Sequence, residues 1–229
     1  MPPRIEEGCF VSEIDPPQLD AALARGWRHF GERFYRYSQT VMEGRLVHII
    51  PLRIELSEFR LSNSQQRVFR KNAQTQCEIL PASVDEQKEE LFQRHSERFS
   101  ENRPESIYDF LSTEPASRPC RCVNIEVSFP SNETESQSTD LIACSYLDLG
   151  DQAVSSIYAV FDPEHSSYNL GTYTLLKEIE YAKSIGKKHL YLGYATRENS
   201  KYDYKKSFSG LWAYDWAGKW APYETETRS

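Results

Sequence analysis

Residues 140–196 limit the fold more than any other part of the chain. LIACSYLDLG and AVSSIYAVFDP are rich in β-branched and aromatic residues, and Gly150–Asp151 between them predicts a turn joining two antiparallel strands. Next comes YNLGTYTLLKEIEYAKSIG, read as a helix over 171–185. Its Leu175, Leu176, Ile179 and Ala182 form a buried stripe, while Lys177, Glu180 and Lys183 take the wet side. Gly186 ends the helix, and KKHLYLGYAT reads as another strand. Strand, strand, helix, strand in this order implies an α+β fold, with a helix N-terminus arriving just after a central strand.

Upstream, the apolar positions Leu19, Ala22 and Leu23 predict a helix that stops at Gly26. FYRYSQ and LVHIIPLRIEL read as strands, and Pro51 predicts an edge or an interruption in the second. SNSQQRVFRKN reads as a short helix capped by Ser62 or Ser64, and 85–99 as an amphipathic helix. SIYDFLS predicts a further short helix, RPCRCVNIEVSF a strand, and SNETESQSTD a polar loop.

Charge and cysteine content narrow the function classes. A net charge of −7 excludes a general nucleic-acid coat but leaves room for local basic patches. The 5 cysteines make neither an even disulfide set nor a zinc pattern: Cys120 and Cys122 are too close for a C-x2-C knuckle, and no second pair answers them. Reduced thiols and no metal are therefore expected. No stretch approaches the roughly 20 apolar residues of a membrane span, and MPPRIEEGCF lacks the features of a signal peptide, so a cytoplasmic protein is expected.

Candidate site residues gather around the 171–185 helix. Asn169 can cap it, and Gly171 allows close approach, so the N–H groups from Leu170 to Thr172 are candidates for holding an anion or an oxyanion. Ser155, Ser156 and Tyr158 lie on the strand leading in, Asp162 and His165 on the following loop, and Tyr191, Gly193 and Tyr194 on the strand leading out.

The motifs SSIYAVFDP, LGTYTLLKEIEYAKSIG, LYLGY and YDYKKSF, with GWRHFGERFYR and IPLRIELSEFRLSNSQQRVFRKN upstream, resemble the aminoacyl-tRNA-protein transferases. These are the arginyltransferases and their bacterial relatives that transfer leucine. The resemblance covers residues 19–220. It implies a GNAT-like acyltransferase fold, with a mixed, mostly antiparallel sheet. Residues 1–75 then form an N-terminal region packed against a transferase domain of residues 76–229. The implied activity moves arginine or leucine from aminoacyl-tRNA to the N-terminal amine of a protein, usually one beginning with an acidic residue, and so marks it for degradation.

The implied partners are aminoacyl-tRNA and an acceptor N-terminus, without membrane, DNA or any cofactor beyond the tRNA co-substrate. Asp162 and His165 are the candidate proton acceptors, and Tyr204 in YDYKKSF joins them as a catalytic candidate. Lys201, Lys205 and Lys206, with Arg67, Arg70 and Lys71, are candidates for the tRNA end or an acidic acceptor.

Two departures stand out. The family commonly carries a C-x-x-C cluster tied to a metal or iron-sulfur centre before IPLRI, where this chain reads EGRLVHII; Leu46, Val47, Ile49 and Ile50 there suggest simple packing. The family's R-S-L-G before the helix is Tyr168-Asn169-Leu170-Gly171 here. Two other readings use the same fold. An acyl-CoA-dependent N-acyltransferase is disfavoured by the single glycine of LGTY, and a non-catalytic binding protein would have lost the cysteine-bearing part.

Overall fold

A computed structural model describes residues 4–42, 44–99, 103–130, 140–198, 200 and 203–224. Most of the predicted polar loop, residues 131–139, and the candidate Lys201 lie outside the described residues.

Two sheets share the chain. Strands β1 (Glu6–Phe10), β2 (Arg28–Phe30) and β3 (Arg33–Tyr37) form a small antiparallel sheet beside helix α1 (Pro16–Ala24). Asp15 caps α1, and Gly26 at φ +82° turns the chain out of it, as the sequence predicted. A short strand β4 (Gln39–Met42) then pairs with β5 (Arg45–Glu55).

The large sheet is built from β5, β6 (Gln76–Pro81), β7 (Cys122–Phe129), β8 (Asp140–Leu149), β9 (Ala153–Phe161), β10 (His189–Thr196), β11 (Leu211–Tyr214) and β12 (Trp220–Pro222). Its order is β12-β11-β5-β10-β9-β8-β7-β6. Along this path only β9 and β10 are parallel, so the expected α+β architecture with a mixed, mostly antiparallel sheet is present. Strand β5 from the first 75 residues lies in its interior, between β11 and β10.

Pro51 is therefore not at a sheet edge. It faces Tyr194 of β10, and on its other flank β4 pairs only 45–48 and β11 only 52–54. The proline occupies the gap, where no ladder partner needs its missing N–H.

Helix α2 (Asn63–Lys71) starts at the capping box of Ser62 and Gln65, and α3 (Glu86–Ser96) at Asp85. A 3-10 turn at Ile107–Asp109 replaces the helix expected in SIYDFLS. Helix α4 (Leu170–Ser184) connects β9 to β10 as the crossover a parallel pair requires. Its Leu175, Leu176, Ile179 and Ala182 are buried against Ile142, Leu147 and Val154 on one sheet face. Leu91 and Phe92 of α3 cover Cys144, Tyr146 and Val160 on the other. Neighbouring residues of β8 thus serve opposite layers, as period-two alternation demands.

Candidate functional site

Strands β9 and β10 pair only from His189 opposite Ala153 to Tyr191 opposite Ser155, and then separate. Both carry a bulge where they part. Ile157 is the extra residue of β9 against β8, and Leu192 that of β10 against β5. A bulge bends and twists its strand, so a matched pair opens a cleft in the middle of the sheet. Ser156 to Ala159 become partly accessible there, although they belong to an interior strand.

Parting strands leave backbone carbonyls without a ladder partner, and two cations supply the donors. Arg28 of β2 is buried, gives Nη1–H to Ser155 Oγ at 2.7 Å, and Nη2–H to the carbonyl of Ser156. Lys205, from a 3-10 turn at Asp203–Ser207, donates from Nζ to the carbonyls of Leu192 at 2.8 Å and Tyr194 at 3.3 Å. Gly193 between them has φ +81°, and a Cβ there would stand 3.4 Å from Arg28 Nη2. Glycine is what lets the guanidinium lie against β10.

Beneath the cleft, α4 presents Glu178, 1% exposed, beside the hydroxyls of Ser156 and Ser145. Burial pushes its carboxyl up to about 7, against the pull of those hydroxyls, Lys205 and Arg28. Burial, with Arg28 close by, brings the Lys205 ammonium down to about 7, although Glu178 opposes the shift. Two groups of opposite charge type thus change protonation near neutrality in one cleft, a pattern suited to proton transfer.

The structure brings Ser155, Ser156 and Lys205 together and adds Arg28 and Glu178, which sequence reasoning missed. Glu178 carried a signal: four residues after Thr174 and three after Leu175, it sits on the buried face of α4. The three-residue strand holding Arg28 offers no such clue.

Other candidates have different work. Asp162 caps the 3-10 turn at Pro163–Tyr168 through Glu164 N–H and pairs with Arg94 of α3 at 3.2 Å. His165 packs on Phe129 and Tyr168. Six residues of strand, about 20 Å, separate Asp162 from Ser156, so Asp162 and His165, the two candidate proton acceptors, stand away from the point where β9 and β10 part. Tyr194 gives its hydroxyl to Gly26 O at 2.7 Å and packs edge-on to Tyr37, holding the small sheet against β10. Tyr191 is buried under Trp220, and Tyr158 stacks on Phe110, the centroids 3.7 Å apart. Tyr204 is exposed, and Lys206 is tied to Asp203 at 2.8 Å.

The first turn of α4 is also filled differently from expectation. Leu170 is in the core, and a Cβ at Gly171 would lie 3.2 Å from the Phe161 ring. Thr172 N–H bonds Asn169 O, and Asn169 takes φ +55° without a side-chain cap. Glycine here admits a phenyl ring, and the Thr172 donor is already used.

Arg67, Arg70 and Lys71 are exposed on α2. Asn72, just beyond them, donates from Nδ2 to Tyr168 O at 2.9 Å, and Lys71 Nζ lies 5.7 Å from the Tyr168 ring. This basic face is therefore fixed beside the start of α4.

Where the resembling family places cysteines, the chain does not fit a metal cluster. Val47 and Ile49 are buried and His48 holds Glu198 at 2.8 Å, although Leu46, expected to pack, is 58% exposed. Among the described residues no helix is long and apolar enough to cross a membrane.

Residues 87–215 match the family described as "Arginine-tRNA-protein transferase, C terminus". An aspartate/glutamate leucyltransferase of Marinobacter nauticus is 30% identical, covering 99% of this chain and 92% of the relative. Its counterpart in Paracoccus denitrificans is 31% identical over 90% of this chain and 74% of the relative. Among solved structures, FemX superposes with a TM-score of 0.50 at 11% identity, over 86% of this chain and 65% of that one, just under two thirds. That likeness speaks for the fold alone, the GNAT-like acyltransferase fold expected from the sequence.

Proposed function

The chain belongs to the family of arginine-tRNA-protein transferases and their aspartate/glutamate leucyltransferase relatives, and we propose that it moves leucine from leucyl-tRNA to the N-terminal amine of proteins beginning with aspartate or glutamate. The observation that carries this reading is the cleft between β9 and β10, where Arg28 and Lys205 face a single carboxyl, Glu178. A chain with net charge −7 repels both tRNA and acidic peptides, so the cations that accept them must be local. Those in the cleft suit the acceptor's carboxylate, and Arg67, Arg70 and Lys71 suit the phosphates of the tRNA arm.

Aminolysis of an ester needs a neutral amine, alignment and hydrogen-bond donors for the developing oxyanion. Lys205 titrates close to an N-terminal amine, whose pKa is about 8. It takes the proton of the acceptor's ammonium, with its position set by the carbonyls of Leu192 and Tyr194. The freed amine attacks the ester carbonyl; the C–N bond forms, the C–O bond to ribose breaks, and a second N–H proton goes to the departing ribose oxygen. The N–H groups of Arg28 left over from Ser155 and Ser156 offer donors toward the cleft. Glu178 is a positioning residue that balances the two cations.

The test is label transfer from leucyl-tRNA or arginyl-tRNA to peptides beginning with Asp, Glu, Arg or Lys. Transfer of leucine to Asp and Glu peptides is expected. Transfer only from an acyl-CoA, or none from any charged tRNA, overturns the reading.

A further inference from the structure

Outside the cleft, one buried cluster has no part in the proposed chemistry. His29 of β2, Cys120 just before β7, and Asp148 of β8 are all nearly inaccessible, and their donor atoms lie within 4.8 Å of one another. Cys122 lies against Asp148 and lines the same small cavity as His29 and Asp148. We propose that His29, Cys120, Cys122 and Asp148 form a structural zinc site.

The hydrogen bonds of His29 define what it can do. Its Nδ1 lies 2.9 Å from the carbonyl of Gly31, which only accepts, so the proton is on Nδ1. Its Nε2 is then directed at Asp148 Oδ2, 2.7 Å away. Either one proton is shared between the ring and the carboxyl, or both lone pairs converge on a cation. A backbone carbonyl holding Nδ1–H is how a metal-binding histidine is commonly oriented.

The donor set of two sulfurs, an imidazole and a carboxylate is one that tetrahedral zinc takes. Adjacent donors around such an ion stand about 3.3–3.8 Å apart, as bonds of about 2.0–2.3 Å require. His29, Cys120 and Asp148 therefore close on an ion with movements of about 1 Å, and Cys122, beside Asp148, is the fourth donor that turns in to complete the set. Zinc displaces the thiol protons of Cys120 and Cys122, and the charges of Asp148 and the two thiolates surround it. No C-x2-C spacing is needed, because the ligands come from three separate segments.

Position gives the site a purpose. Arg28 and His29 are neighbours on β2, and period-two alternation sends one to the cleft and the other to this cluster. A metal that fixes His29 to β7 and β8 also fixes the strand that holds Arg28 against Ser155.

The test uses the untagged full chain from zinc-supplemented medium, dialysed and assayed by elemental analysis. About one zinc per chain is expected. Replacement by cobalt should give a thiolate charge-transfer band and the strong visible bands of a tetrahedral ion. Cys120→Ser and Cys122→Ser should lower zinc affinity about tenfold or more, while Cys77→Ser, at a half-buried thiol elsewhere, keeps it. Because a variant can fail to fold, the cobalt titration of the unaltered chain decides by itself. A chain that stays metal-free when saturated with zinc and shows no cobalt spectrum overturns the proposal. So does metal retained by the double cysteine variant, which places the ion elsewhere.

Discussion

Replacing Glu178 by glutamine tests the cleft's electrostatics without touching its packing, since the two side chains have almost the same shape. Burial raises the Glu178 carboxyl from 4.5 to about 7. That rise corresponds to about 3 kcal/mol between its protonated and ionised forms in the folded protein. The sign follows from linkage. Where the folded state holds its proton more tightly than the unfolded state, the contribution to stability is complete below 4.5 and lost as pH rises through about 7.

Glu178→Gln removes that loss. Relative to its value near pH 4.5, the stability of the wild type minus that of the variant should fall by about 3 kcal/mol by about pH 8. Lys205, held down to about 7 in the wild type, moves lower still once the carboxylate is gone. The variant then gains stability as pH rises within the same window, so the second effect has the same sign. Urea unfolding followed by tryptophan fluorescence across the window reads the difference directly. A difference that stays flat, or grows the other way, refutes the reasoning. Glu178 is then an ordinary carboxylate held ionised by Arg28 and Lys205.

Lys205→Arg keeps a charge but removes the group that titrates near 7, so the rising limb of kcat/KM in a transfer assay should move up to the acceptor amine's own value of about 8; a limb that stays near 7 assigns the proton elsewhere. Gly193→Ala forces φ +81° on a residue with a Cβ that would sit 3.4 Å from Arg28 Nη2. A loss of about 1–2 kcal/mol in urea unfolding is expected, with a lower rate of transfer because the guanidinium is displaced. Reversing the exposed charges of Arg67, Arg70 and Lys71 together with glutamate should weaken tRNA binding in a filter assay and flatten its salt dependence. Thermal stability should change little beyond the loss of favourable charge at the last turn of α2.

How much of this was legible in the sequence depended on how local the cause is. The stripe of Leu175, Leu176, Ile179 and Ala182 and the cap of α2, at Ser62 of the two serines that could serve, are fixed by neighbours three or four residues away, and both elements stand where the pattern put them. Of the two readings Pro51 allowed, the interruption is the one present, but the gap is made by β4 and β11, which are joined to it by no local rule. Asp162 and His165 show that closeness in sequence to the start of α4 is not closeness to the point where β9 and β10 part.

That point has no motif of its own, and the physics says why. Once two parallel strands diverge, the carbonyls of Ser156, Leu192 and Tyr194 need donors that a neighbouring strand no longer gives, and an orphaned buried carbonyl is costly. Arg28 and Lys205 reach in from distant segments to supply them. The same charges that finish the backbone's hydrogen bonding are then left facing an open cleft. In sequence, such a site shows only as single charges where the strand or helix pattern calls for an apolar residue, and Glu178 on the buried face of α4 is the clearest instance. Each of the three charged groups therefore serves fold and chemistry together, so a change at any of them should move stability and transfer in the same experiment.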